Sequence, residues 1–387
     1  MRNDQTNVFS GLLDQLAVVA DPRDPTKVKY PLDEILFLAV CGVVSDCTEW
    51  QQIVDFGKDK LEWLRNYLPY AKGIPSLGTM NRIFSLINKS SFEGMFRTWA
   101  SRGLCLPEGS LVSLDGKALR RSATKKEQQT PHTAGGKGAV HLLEAWCSEQ
   151  SVCFGVREVA SKENETVAIP LILNDLEIEK CVVRIDAIGS YKEVVRSIKG
   201  KEADYVIGLK GNQATLLAAA EVVFSDPSLS RHLDIHDSGA ETGHGRLERR
   251  VCRAISVGHL SQQAKVEDWA GLKSVFEVES ERSLMATGKV SHEKRYYISS
   301  LEPLAEKGAK YVREHWGIEN GLHYCLDVFF GEDASRKRTG NAAANFGTVL
   351  RMALNMVNAI KGNMSIKRTL KKASRSDVFR EQILGFS

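Results

Sequence analysis

The sequence contains no apolar run long enough to cross a lipid bilayer. Its best candidate, residues 35–44, is about half of the ~20 residues that a membrane-spanning helix needs. The amino-terminal stretch MRNDQTNVFS also lacks the charged and then apolar layout of a secretory signal. We therefore expect a cytoplasmic protein with no membrane partner.

Paired cysteine motifs are missing as well. Eight cysteines are scattered along the chain, and no two of them form a C-x-x-C pair. Several, such as Cys41, Cys147 and Cys181, lie in apolar runs. We interpret them as small core residues of a protein in a reducing compartment, rather than as zinc ligands or disulfides.

Common nucleotide-binding and metal-binding motifs are also absent. The stretch Asp115-Gly116-Lys117 lacks the G-x-x-x-x-G-K-[ST] frame of a phosphate-binding loop, which argues against a nucleotide triphosphatase. No H-E-x-x-H motif occurs, although positions 315, 319, 323 and 327 carry His, Glu, His and Asp. Each step of four residues drifts by about 40° around a helix, so all four cannot meet one ion. A metal-binding stripe and a purely structural helix both remain open interpretations of this spacing.

Positive charge is present but unevenly distributed. The net charge is +4, yet residues 331–387 contain 11 Lys and Arg against 4 Asp and Glu. Residues 115–140 contain 6 against 2. Two basic stretches on a nearly neutral chain indicate a polyanionic partner such as nucleic acid, while a solvated surface is the simpler alternative.

A chain of 387 residues is long for a single core and predicts two or three folding units. Residues 1–105 have helical periodicity, which fits either a helix-turn-helix DNA reader or a plain helical bundle. Residues 106–212 alternate strands and helices, 213–300 form a β-rich insertion, and 301–387 complete the core with basic helices at the end. The expected fold class is α/β, with an antiparallel hairpin and parallel strands in one mixed sheet and an all-α amino-terminal domain.

The individual elements can be placed from periodicity, caps and turn residues. The amino-terminal helices are predicted at 31–44 and 49–68, from an N-cap at Ser76, and at 91–99. Strands are predicted at 111–115, 140–147, 152–159, 181–186, 203–209, 247–257, 273–280 and 295–300, a loop at 119–138, and further helices at 166–176, 191–199, 215–224, 307–329 and 342–360.

Two of the predicted strands end on a carboxylate. LVSLD ends at Asp115 and CVVRID ends at Asp186, and small residues follow each. The carboxyl ends of sheet strands border the crevice where α/β proteins do their chemistry. Two converging carboxylates would repel each other unless one is protonated or a cation lies between them, and hard oxygen ligands suit Mg²⁺ or Mn²⁺. Glu319, on the predicted helix 307–329, is the candidate for a third acidic ligand.

A second polar signature, GLKGNQ, follows the predicted strand 203–209. Lys210 and Asn212 could contact a DNA backbone from this position. A Gly-Asn pair after a strand is also ordinary turn chemistry, so both interpretations stay open.

Several motifs in a fixed order complete the pattern. They are SLDGK around Asp115, IDAIGSYK around Asp186, GLKGNQ, GHGRLERR (243–250), RYYISSL (295–301) and HWGIENGLHYCLDVFFGEDASR (315–336). Together they resemble the DDE transposases of the H-repeat-associated, ISAs-type insertion sequences. The resemblance extends over nearly the whole chain.

This resemblance implies an RNase H-like catalytic core whose acidic triad falls on Asp115, Asp186 and Glu319. The triad would hold two Mg²⁺ or Mn²⁺ ions. The protein would cut DNA at insertion-sequence ends and join the freed 3′ ends to target DNA, as a homodimer on DNA of the bacterial nucleoid. The candidate DNA contacts are Lys117, Arg120, Arg121, Lys210, Asn212, Arg246, Arg313 and His315.

Two other classes of protein fit the same sequence. One is a domesticated or inactive transposase that binds DNA without cutting it. The other is a metal-dependent nuclease that leaves free ends because it performs no strand transfer.

Overall fold

The computed structural model describes residues 11–123, 138–159, 165–243 and 245–386. The chain divides into two compact units. The first unit contains Met1–Cys105, Gly116–Asn164 and Glu319–Ser387, and the second contains Leu106–Asp115 and Glu165–Ile318. The described strands belong to one mixed sheet of nine strands, and β1 contributes residues to both units.

The first unit is mostly helical. Its strands are the end of β1 (Leu111–Leu119), β2 (Val140–Cys147) and β3 (Val152–Val159), in the order β3-β2-β1. Its helices are α1 (Leu12–Ala17), α2 (Leu32–Val44), α3 (Trp50–Asp59), α4 (Leu61–Leu64), α5 (Leu77–Leu86), α6 (Lys89–Arg102), α11 (Tyr324–Phe329), α12 (Ala342–Ile360), α13 (Ile366–Arg375) and α14 (Asp377–Leu384).

The core of this unit forms around α12. Its residues from Ala342 to Val357 are all buried, and α2 is apolar and buried on nearly every face. Helices that are hydrophobic all round occupy the interior of a bundle. The helix α5 begins where the sequence predicts, because Ser76 Oγ accepts a hydrogen bond from the backbone N–H of Thr79.

The second unit contains the other strands of the sheet. The order is β1-β4-β5-β9-β8-β7-β6. The strands β1, β4 and β5 are parallel to one another. The pairs β5–β9, β9–β8, β8–β7 and β7–β6 are antiparallel. The strands are β4 (Val182–Ile185), β5 (Asp204–Leu209), β6 (Asp234–Gly243), β7 (Arg246–Ser256), β8 (Ser274–Leu284) and β9 (Val290–Ser299), and the helices are α7 (Glu165–Asn174), α8 (Lys192–Gly200), α9 (Ala214–Ser225) and α10 (Ala305–Glu314).

The predicted fold class is confirmed: a mixed sheet carries an antiparallel hairpin, β2 with β3, beside parallel strands, and the amino-terminal region is helical. The division into segments 1–105, 106–212, 213–300 and 301–387 stays a prediction. Six of the eight cysteines are buried. No helix in the described part of the chain is long and apolar enough to span a membrane.

The predicted strands need two corrections. The first strand does not stop at Asp115 but continues to Leu119, because Lys117 and Leu119 alternate inward as strand residues do. The prediction missed β6, whose exposed, polar sequence lacks an apolar face and lies at the sheet edge. Most of the predicted loop 119–138 lies outside the described residues.

The predicted helix 307–329 is also not continuous. The α10 helix ends at Glu314, and a π-helical turn over Ile318–His323 precedes α11. Gly321 lies in this turn, and a Cβ atom there would approach Trp146 Cζ2 to 2.8 Å. The π-helical turn therefore passes closer to Trp146 than a residue with a side chain would allow.

Candidate active site

Asp115 and Asp186 each directly follow the last paired residues of two neighbouring parallel strands in the second unit. The strands β1 and β4 are parallel, and their last paired residues are Leu114 and Ile185. One step further along the same register places Asp115 opposite Asp186. Neighbouring strands are about 4.8 Å apart, and residues in register face the same side of a parallel pair. The strand β4 ends at Ile185, whereas β1 continues beyond Asp115. The two aspartates therefore come directly after the last hydrogen-bonded pair of residues between these strands.

Arg184 supplies positive charge beside Asp186. Its guanidinium Nη2 lies 3.7 Å from Asp186 Oδ1, and its side chain is 3% exposed whereas that of Asp186 is 54% exposed. The same guanidinium lies over the ring of Tyr297, 4.9 Å from the centroid, and donates to the carbonyl oxygen of Ile185. The buried Arg184 guanidinium thus restrains the Asp186 carboxylate by charge, while that carboxylate stays open to solvent.

The turn that follows Asp186 is fastened by the GLKGNQ motif. Asn212 Nδ2 donates to the carbonyl oxygen of Ala187 at 2.9 Å, and Gln213 Nε2 donates to that of Ser190 at 2.7 Å. Gly208 permits the approach, because a Cβ atom there would lie 2.9 Å from the backbone nitrogen of Ala187. Asn212, predicted as a DNA contact, therefore uses its side-chain amide to hold the turn next to Asp186.

Glu319 belongs to the first unit, where it is exposed on the π-helical turn. Its place in the acidic triad stays a prediction. In the second unit, the segment just before it is held by Trp316, whose ring lies 5.9 Å from the Arg250 guanidinium and 5.6 Å from that of Arg282. Both arginines contact Glu248 at 2.8 Å.

Lys117 lies inside the first unit and not on its surface. The residue is 7% exposed, and its ammonium group lies 2.6 Å from Asp327 Oδ1 and 3.5 Å from Glu332 Oε2. It also donates to the carbonyl oxygen of His323 at 3.3 Å. The ammonium group of this predicted phosphate contact is therefore occupied by carboxylates of its own chain.

These contacts extend into a buried ionic network. Arg351 is fully buried and pairs with both Glu144 and Glu332, and His323 Nε2 lies 2.8 Å from Glu144 Oε2. Burial alone would raise the pKa of Glu144, but the charges of Arg351 and His323 outweigh burial and lower it. We call this set the Lys117–Arg351 network; its members are Lys117, Glu144, His323, Asp327, Glu332 and Arg351.

Arg120 and Arg121 form a short 3₁₀ turn after β1, and both are exposed. The Arg120 side chain is 82% exposed and its Nε lies 3.1 Å from Asp333 Oδ2. The backbone oxygen of Arg121 accepts a hydrogen bond of 2.8 Å from Arg338 Nε.

The remaining predicted contacts lie in the second unit. Lys210 is exposed directly after β5, and Arg246 is half-buried at the start of β7. Arg313 forms a bidentate ion pair with Glu241, at 2.7 and 2.5 Å. His315 is 6% exposed. Lys210 is thus the most accessible to a ligand, while Arg313 is paired and His315 is buried.

The chemistry of Asp115 and Asp186 fits a divalent cation, because both offer carboxylate oxygens and one is open to solvent. Across the described ranges, no group of three or more His, Cys, Asp or Glu side chains is arranged to hold a metal ion. Two aspartates alone would be only part of the ligand set of such a cation.

Three arginines that the structure places beside predicted site residues were not singled out from the sequence. Arg184 stands in the apolar run CVVRID, and a charge inside a buried strand two residues before an acid was the available signal. Arg336 and Arg338 were counted in the basic stretch 331–387, but no spacing related them to Arg120 and Arg121.

The chain matches two protein families over most of its length. Residues 13–100 match the family described as DDE_Tnp_1-associated, and residues 106–356 match the Transposase DDE domain family. The chain is 37% identical over 380 residues to "Putative transposase YncI" of Escherichia coli O157:H7, covering 97% of this chain and 95% of that protein. It is 33% identical over 381 residues to "H repeat-associated putative transposase YhhI" of Escherichia coli (strain K12), covering 97% and 98%.

Among solved structures, the chain is similar to a piggyBac transposase in a synaptic complex with hairpin DNA. The TM-score is 0.45 and the sequence identity 9%, with 98% of this chain and 80% of that chain covered.

Proposed function

The chain belongs to the DDE transposase family, and on that premise we propose that it cuts DNA at insertion-sequence ends and joins the freed ends to target DNA. The proposed catalytic residues are Asp115, Asp186 and Glu319. The observation that supports the proposal is the register of β1 and β4: continued one residue beyond the pair Leu114–Ile185, it would set Asp115 opposite Asp186.

Asp115 and Asp186, with Glu319 as the third ligand, would hold two Mg²⁺ or Mn²⁺ ions. When bound, such ions activate water and stabilise the leaving oxygen of a phosphodiester. The residues of the chain provide the rest: Arg184 restrains the Asp186 carboxylate, and Asn212 and Gln213 fix the turn behind it. No protein nucleophile is required in this scheme.

DNA binding follows from the same proposal. The exposed cations Arg120, Arg121 and Lys210 are the best placed for phosphate contacts. Arg246 is half-buried, so it would contact phosphate only with the exposed part of its side chain. Arg313, His315 and Lys117 would need to leave the pairing or burial described above before they could touch DNA. Contacts of this kind bind DNA independently of sequence and weaken with salt.

The test is cleavage of DNA that carries the element's ends, in the presence of Mg²⁺. We expect Asp115→Asn, Asp186→Asn and Glu319→Gln each to abolish cleavage while DNA affinity stays within a few-fold of wild type. Asp59→Asn, at an exposed position on α3, is the matched control and should cut normally. If all three triad variants cut like the control, the active site lies elsewhere.

The product distinguishes the proposed reaction from the other two classes. Joined element and target DNA supports a transposase, whereas free ends alone indicate a nuclease. A wild-type protein that binds the ends and never cuts them under conditions of varied Mg²⁺ and Mn²⁺ is a DNA-binding derivative.

Two ends have to be handled together, so we further propose that the protein acts as a homodimer on nucleoid DNA. The mass of the protein–DNA complex measures this directly. A complex of two chains with two ends supports the dimer, and a complex of a single chain with a single end contradicts it.

A further inference from the structure

Four arginines line one open cavity in the first unit. The cavity has a volume of about 420 Å³, and the residues that line it are Arg120, Arg121, Ala123, Arg336 and Arg338. Two of the arginines come from the turn after β1 and two from the segment between α11 and α12. Residues far apart in the sequence thus contribute like charges to a single concave surface.

The segment that carries Arg336 and Arg338 is anchored by the lysine between them. Lys337 is 4% exposed, its ammonium group lies 4.0 Å from the centroid of the Phe346 ring, and it donates to the carbonyl oxygen of Thr48 at 2.7 Å. With Lys337 fixed on the inner side, Arg336 and Arg338 are left on the cavity side. The hydrogen bond from Arg338 Nε to the oxygen of Arg121 joins the two segments at the cavity wall.

The positive charge of this cavity is poorly compensated. Within the described part of the chain, these four side chains form one ion pair, between Arg120 and Asp333. Guanidinium groups repel one another when they converge, and they bind oxyanions in bidentate geometry. An anion with several oxygens would therefore relieve a repulsion that the chain itself leaves in place.

We propose that this arginine cavity binds the phosphodiester backbone of DNA. The proposal rests on the proposed function and adds Arg336 and Arg338 to its DNA contacts. The described side chains that line the cavity are four arginines and an alanine, and arginines of this kind contact phosphate oxygens without reading the base sequence. The cavity is open and much larger than one phosphate group, which suits consecutive phosphates of a strand.

The experiment measures binding of duplex DNA at 50 to 200 mM salt. Each phosphate contact contributes about 0.9 to the slope of log affinity against log salt. Arg336→Gln/Arg338→Gln should lower the slope by about 1.8, so that the loss of affinity over this salt range becomes about 12-fold smaller than for wild type. The reduction should be equal for two duplexes of unrelated sequence.

Arg65→Gln is the matched control, because Arg65 is a surface arginine paired with Glu62 at 2.6 Å and lies outside the cavity. Its slope should equal that of wild type. If circular dichroism shows that the double variant is unfolded, Arg336→Gln alone, whose side chain makes no hydrogen bond to the described residues, should lower the slope by about 0.9. A variant slope equal to that of Arg65→Gln overturns the proposal.

Pyrophosphate distinguishes DNA from a free phosphate compound as the source of the oxyanions. If pyrophosphate raises the Tm of wild type but not of the double variant, while both have the same DNA slope, the DNA assignment is wrong. Failure of this inference is separable from failure of the proposed function: in the first case the Asp115→Asn effect on cleavage persists, and in the second wild type neither cuts nor joins DNA.

Discussion

Asn212 donates a hydrogen bond of 2.9 Å to the carbonyl oxygen of Ala187, the residue that follows Asp186. The contact joins the end of β5 to the turn after β4 and is accompanied by a second bond from Gln213 to Ser190. A side chain that was predicted to face DNA is thus engaged in holding the chain beside a proposed catalytic carboxylate. Positioning and DNA contact make different predictions for the same substitution.

Asn212→Ala should raise the Mg²⁺ concentration needed for half-maximal cleavage by about 2-fold to 10-fold, since one neutral hydrogen bond contributes about 0.5–1.5 kcal/mol. DNA affinity without metal should stay unchanged, and thermal unfolding should report a loss of about 1 kcal/mol. The measurements are a Mg²⁺ titration of cleavage, a binding isotherm and a melting curve. Weaker DNA binding with an unchanged Mg²⁺ titration would instead support the phosphate contact.

Gly208→Ala tests the close approach of β5 to the same turn. The new Cβ would lie 2.9 Å from the backbone nitrogen of Ala187, so the turn has to shift. We expect a loss of about 1–3 kcal/mol in the free energy of unfolding and slower cleavage, because overpacking against backbone cannot relax through a rotamer. Gly211→Ala is the control: its Cβ would meet nothing within 4 Å, and urea denaturation should show a change below about 0.5 kcal/mol.

Lys117→Met tests the Lys117–Arg351 network. The substitution leaves Asp327 and the buried Glu332 without their ammonium partner, and removal of one member of a buried ion pair costs about 3–5 kcal/mol. Lys58→Met breaks an exposed pair with Asp55 and should cost less than about 1 kcal/mol. Both are read from urea denaturation. A small loss for Lys117→Met combined with a lower salt slope of DNA binding would return Lys117 to the DNA surface.

Lys337 predicts a specific pH dependence. Burial lowers its pKa from 10.5 to about 8, and the nearby Glu49 carboxylate, 3.7 Å away, opposes burial only in part. The folded state therefore binds this proton less tightly than the unfolded state does, so the free energy of unfolding should rise as the pH increases from about 8 to 10.5.

The contribution of Lys337 is on the order of 3 kcal/mol. It should appear as a difference between wild type and Lys337→Met in urea denaturation at pH 7.5 and pH 10.5, since other titrating groups cancel in the difference. A difference that does not vary with pH would mean that Lys337 keeps its ordinary pKa in the folded protein.

Helices and strands were predictable where the spacing of apolar residues fits only one type of secondary structure. The hairpin of β2 and β3 and the helix α12 have the bounds that the sequence predicts. The family was predictable too, because an ordered set of motifs is specific, and the resemblance to H-repeat-associated transposases is confirmed.

The placement of charged side chains was not predictable in the same way. Lys117 has the same sequence appearance as Arg120, yet one is 7% exposed and the other has an 82% exposed side chain. The difference depends on Asp327 and Glu332, more than two hundred residues away in the sequence. Contacts of such long range leave no periodicity that a single sequence could reveal.

The π-helical turn at Ile318–His323 limits which insertions and deletions this segment can accept during evolution. A π-turn holds more residues than an α-turn, and removing one, such as Asn320, would restore the α pitch. That deletion would rotate Glu319 by about 100° relative to His323 and Asp327. Point substitutions around the glutamate leave its direction intact, whereas a one-residue insertion or deletion does not. Homologues that keep the activity should therefore show amino-acid substitutions in this segment but no insertions or deletions.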